Sequence, residues 1–118
     1  MKNLFYIGAL LMSIYIKAQT YYFSTREVIS PLTYSTISIE RGNYRMSFSN
    51  GILSVYKNGR RQYIANWVRY IGFRDIRGVH YEGDKYYHTS RNKYLDIYIF
   101  RNEIAIYDSG VDALVLYY

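Results

Sequence analysis

Across residues 37–55 the chain reads ISIERGNYRMSFSNGILSV, and apolar side chains recur at every second position. A period of two marks a strand with one buried face. Gly42-Asn43 and Asn50-Gly51 interrupt the alternation. Both pairs tolerate the positive φ that a two-residue hairpin turn demands. Two-residue turns at both places set Phe48 opposite Leu53, Met46 opposite Val55, Ile39 opposite Met46 and Ile37 opposite Phe48. Ile37, Ile39, Met46, Phe48, Leu53 and Val55 then share one apolar face. Ser38, Glu40, Arg45, Ser47, Ser49 and Ser54 share the other, with Glu40 across from Arg45.

The same period organises the rest of the chain. Residues 19–25 predict a first strand, and Ser30-Pro31 breaks the chain after it. Asn58-Gly59 predicts another turn, in one of two registers. A two-residue turn puts Gln62, Ile64 and Asn66 on the core face. A three-residue loop over 57–59 puts Tyr63, Ala65 and Trp67 there instead, and it is preferred because it buries the one Trp. That strand is expected to span 62–71. Residues 79–82 and 85–89 are expected to pair across Gly83-Asp84 as a short Tyr-rich hairpin. Residues 94–101 alternate, with Leu95, Ile97 and Ile99 on one side. A turn near Arg101-Asn102 brings Ile104 and Ile106 onto the Leu95 face, and Ser109-Gly110 turns the chain into a last strand over 112–118. The pattern predicts an all-β fold: a single small antiparallel meander sheet of about eight strands, curled into a barrel or a two-layer sandwich.

Composition adds an address. Lys2, an uncharged apolar run over 4–16 and Ala18 before a polar switch read as a cleavable signal peptide, residues 1–18. The apolar run is shorter than the roughly 20 residues a spanning helix needs. Cleavage would leave one domain, 19–118, without a transmembrane span, secreted or periplasmic. The chain has no Cys, so this exported domain must hold together by burial alone. Losing Lys2 and Lys17 lowers the formal net charge from +6 to +4, which is too mild to imply nucleic acid. Tyr outnumbers Phe by 17 to 5, a bias towards surfaces that are wet on one side and buried on the other.

Candidate chemistry is sparse. Arg69, Tyr70, Arg74, Arg77, Tyr81, Tyr86 and Tyr87 mix cations with aromatic rings, a combination that stacks on sugars and pairs with anions. They are the candidate binding residues, and an anionic polymer, a glycan or another envelope protein is the expected partner. The bland reading is that the arginines only guard a strand edge. His80, Glu82 and His88 supply the residue types of a secreted nuclease-like hydrolase but no diagnostic spacing. No metal or cofactor motif is present. A third reading is a structural protein that self-associates through an open edge such as 112–118. The aromatic C-terminal residue is also found in outer-membrane barrels, but strands of six or seven residues are short for a bilayer. The expectation is a small exported binding module that acts without catalysis.

Overall fold

The computed structural model describes residues 19–118, and the expected signal peptide lies outside the described residues. Eight strands follow in order: β1 (Gln19–Ile29), β2 (Thr36–Ser49), β3 (Ile52–Lys57), β4 (Arg60–Ile76), β5 (Val79–His88), β6 (Lys93–Phe100), β7 (Glu103–Asp108) and β8 (Ala113–Tyr117). Each pairs antiparallel with the next, and β8 returns to β1, so the sheet closes into an up-and-down barrel. Within residues 112–118, expected as an open edge, residues 114–117 are therefore paired on both sides, by β7 and β1.

Asn50-Gly51 forms the expected turn, with φ of 52° and 76°, and sets Phe48 opposite Leu53 and Met46 opposite Val55. Gly42-Asn43 does not turn. β1 is long enough to pair with β2 from Gln19 to Ile29, so Gly42 and Asn43 stay inside β2, where the register against β1 shifts. The chain upstream of Gly42 therefore never folds back onto Met46 and Phe48. Ile37 and Ile39 are exposed instead of sharing the core, and Glu40 lies across from Arg26 instead of Arg45.

The Asn58-Gly59 turn reaches the expected core register by a different route. Its two residues have φ of 51° and 78°, and Lys57 pairs with Arg60, as in a two-residue turn. A bulge at Gln62 then shifts β4 so that Tyr63 and Ala65 pair with Val55 and Leu53. The pair expected across Gly83-Asp84 is also different. Val79–His88 is one strand, and its turn is Arg77-Gly78, with φ of 52° and 78°. As expected, Leu95, Ile97, Ile104 and Ile106 face inward together. Phe48 meets Tyr21 and Tyr86 edge-on, at 5.8 and 6.0 Å, and Trp67 Nε1 donates to Asp84 Oδ1 at 3.0 Å, filling the end of the barrel by the Asn50-Gly51 turn.

A second core lies outside the barrel wall. The far half of the β4–β5 hairpin, beyond the paired Gly72 and Gly83, folds back over β6, β7 and β8. Ile76, Val79 and Tyr81 on this flap pack against Tyr98, Ala105, Leu114 and Leu116. This explains why strands β6 to β8 are apolar on both faces, and it gives the tyrosines their half-wet setting. Tyr81 Oη donates to Glu103 at 2.8 Å, and Tyr107 Oη donates to Asp112 at 2.8 Å. Two arginines latch the flap. Arg74 lies 5.3, 5.8 and 5.9 Å from the rings of Tyr107, Tyr98 and Tyr34. Arg77 Nη2 donates to Glu27 at 2.9 Å, and its Nε donates to the Tyr34 carbonyl at 2.9 Å.

Candidate functional site at the barrel mouth

The strand parity that fills the barrel with apolar side chains continues past them at one end, where the inward positions turn polar. Tyr44 precedes Met46, Lys57 follows Val55, Tyr63 precedes Ala65, His88 follows Tyr86, Lys93 precedes Leu95, Asp108 follows Ile106 and Tyr117 follows Val115. All of these line a cavity of about 590 Å³ at the open mouth, together with Arg26, Glu40 and Arg91. That volume falls in the range of small-molecule sites, roughly 300–1,000 Å³.

Arg26 points inward because of a β1 irregularity. The amides of Ser24 and Thr25 both donate to the Tyr118 carbonyl, at 3.1 and 2.9 Å. This bulge reverses the parity of β1, so Phe23 and Arg26 both face the lumen while Glu27 and Ile29 face the flap. Arg26 Nε donates to Tyr117 Oη at 3.3 Å. Lys57 pairs with Glu40, and Lys93 pairs with Asp108. Burial and the neighbouring Glu40 carboxylate push the Tyr44 hydroxyl up to about 12, and burial also raises Tyr63.

His88 stacks on Tyr63 with centroids 4.6 Å apart and planes 17° from parallel. Its Nδ1 accepts the Arg91 backbone N–H at 3.3 Å, so a neutral ring carries its proton on Nε2. Burial lowers its pKa, and Lys93 and Arg91 lower it further. NMR titration of the His88 ring is expected to give a midpoint below the ordinary value near 6.5. A midpoint above 6.5 would mean that a carboxylate, not burial, dominates its surroundings.

The residues singled out in the sequence lie on several different surfaces. Arg69 and Tyr70 are exposed on β4, away from the mouth. Arg74 and Arg77 are engaged in the flap latch. Tyr81 is buried under the flap and Tyr86 in the lumen, on opposite faces of the sheet. Tyr87 lies against Tyr94 at 5.1 Å. His80 sits at the flap end of β5, stacked on Phe73 at 4.3 Å and bonded to Asp75, whereas His88 is in the mouth. Among the described residues, no group of three or more His, Cys, Asp or Glu is placed to hold a metal ion. No family model, curated protein or solved structure matches this chain.

Proposed function

We propose that this is an exported, non-catalytic binding module that holds a small ligand in the mouth of its barrel. The observation that carries the reading is the cavity of about 590 Å³, with apolar side chains at its base and charged and tyrosyl groups around it. A mostly pre-formed concave site with a few convergent polar groups is the usual form of a small-molecule site. The seven candidates Arg69, Tyr70, Arg74, Arg77, Tyr81, Tyr86 and Tyr87 offer no comparable convergence, because the flap and the lumen consume four of them. A nuclease-like reaction using His80 or His88 finds less support, because the two histidines stand at opposite ends of β5 and cannot act together on one bond. Four strands, β1, β2, β4 and β5, are 10–17 residues long and exceed the expected six or seven, but β3, β7 and β8 have only five or six. Lys85 and Asp96 also form an ion pair on the outer wall at 3.4 Å, which favours water over lipid.

The test is a thermal-shift screen of residues 19–118 against small anionic, neutral and sugar-like compounds. At least one class is expected to raise the midpoint, and filling the mouth with Ala113→Phe is expected to abolish that rise. A ligand that stabilises the filled variant equally, or a panel with no active compound, would sink the reading.

A further inference from the structure

We infer that the mouth takes a small molecule carrying one carboxylate on an apolar body, with the carboxylate held by Arg26. This rests on the binding reading above and names its ligand class. The charges of the site are unevenly spent. Lys57 is paired with Glu40 and Lys93 with Asp108. Arg26 has Glu40 across the strand pair as an electrostatic neighbour but forms no salt bridge with it. It gives its Nε to a hydroxyl, Tyr117 Oη, and its two Nη groups make no hydrogen bond among the described residues. The cavity thus carries four cations, Arg26, Lys57, Arg91 and Lys93, against two carboxylates, Glu40 and Asp108. His88 adds no charge near neutral pH.

Geometry selects the anion. A half-buried guanidinium is desolvated enough to favour a counter-ion, and its planar fork matches a carboxylate in a bidentate pair. The Tyr117 hydroxyl holds Nε in place, which fixes the plane of the fork and reduces the ordering cost on binding. One fork serves one monoanion. A phosphate dianion would call for a second desolvated cation beside it; the two lysines already have partners, and Arg91 is exposed on the turn between β5 and β6. Val55, Leu95, Ile106 and Val115 form an apolar wall in the same cavity, where a hydrocarbon or ring can be buried while the head stays at Arg26.

The experiment compares decanoate, decanol and decyl phosphate by titration calorimetry on residues 19–118, below their micellar concentrations. The three share an apolar body and differ only in the head. Decanoate is expected to bind at least tenfold tighter than decanol. Arg26→Met is expected to bring decanoate down to the decanol affinity, and Arg26→Lys to recover only part of the gap because it lacks the fork. Arg69→Ala, on another surface, is expected to change nothing. Equal affinity for decanoate and decanol would overturn the carboxylate assignment and leave the binding reading standing. Tighter binding of decyl phosphate would overturn the choice of carboxylate. Silence from all three probes would overturn the ligand class, and the wider thermal-shift panel then decides the binding reading separately. The comparison of heads on the unmutated protein decides the matter even if Arg26→Met fails to fold.

Discussion

Gly83→Ala is expected to destabilise the protein by roughly 2–3 kcal/mol, the cost of forcing an extra carbon into a filled site. A Cβ on Gly83 would lie 2.5 and 2.6 Å from Tyr98 Cε1 and Cδ1, and 3.1 Å from Ile71 Cγ1. Backbone strain is not the cause, because Gly83 has no positive φ. The reason is the close approach of the flap to the barrel wall. Gly83 pairs with Tyr98 on β6 and with Gly72 on β4, at the line where the hairpin turns back over the sheet. Tyr98 cannot swing away freely, since it is buried in the outer core with Arg74 5.8 Å from its ring. Urea unfolding of Gly83→Ala, Tyr98→Ala and the double variant checks this. The double variant is expected to be no less stable than Tyr98→Ala alone, because the ring that the new methyl would strike is gone. Simple additivity would place the cost elsewhere. Gly59→Ala separates strain from clash: φ there is +78°, but nothing lies within 4 Å of the added carbon. Its cost is expected to be about 1 kcal/mol, that of the backbone conformation alone.

The flap also shows where reading the chain by local pattern reaches its limit. Gly-Asn and Asn-Gly are the same kind of turn signal, yet only the second pair turns. What separates them is β1, whose 11 residues pair along β2 and hold Gly42 extended. That is a long-range fact, invisible in the dipeptide. By local pattern Gly83 reads as part of a hairpin turn, and Gly72 as the residue that ends the strand over 62–71. In the structure they face each other and allow one hairpin to serve two layers. The apolar positions on both sides of β6, β7 and β8 were the available hint that something covers the outer wall. Strand alternation, in contrast, located most of the lumen, because a buried face constrains parity regardless of topology.

The mouth is written in the same alternation, one step past the apolar run. Tyr44, Lys57, His88, Lys93, Asp108 and Tyr117 all continue an inward run with a polar residue. Each looks like an ordinary strand end when taken alone. Only closure of the sheet brings these ends together around one cavity. Arg26 was beyond reach on parity, since without the bulge at Ser24-Thr25 it would point away from the lumen. A sequence that mixes arginines with aromatic rings does not distinguish an unpaired cation from one that is already bonded, as Arg74 and Arg77 are in the flap latch.

Glu27 gives that distinction a pH dependence. Its carboxylate is buried between barrel and flap and accepts hydrogen bonds from Arg77, Thr36 and Tyr118. The Arg77 bond, reinforced by those of Thr36 and Tyr118, outweighs burial and holds its pKa down to about 2, against an ordinary 4.5. A folded-state pKa below the unfolded value means that the folded form binds the proton less readily. The stabilisation is therefore complete above about pH 4.5 and is lost as pH falls towards 2, and its size is on the order of 3 kcal/mol. Glu27→Gln is expected to lower stability at pH 7 by about that amount. The gap to the unmutated protein is then expected to shrink below pH 4.5 and to close near pH 2, because protonation turns Glu27 into a neutral group much like the amide. Urea unfolding at several pH values between 2 and 7 measures both curves. Parallel curves would mean that another carboxylate controls the acid limb. Arg77→Met is expected to cost about 3 kcal/mol at pH 7, near the low end for breaking a buried ion pair, because Arg77 is 37% exposed and water takes over part of its role. Unlike Glu27→Gln, it leaves a charge with nowhere to go. Its stability is therefore expected to recover relative to the unmutated protein as Glu27 protonates, at a pH above 2, since the cation that held the pKa down has been removed.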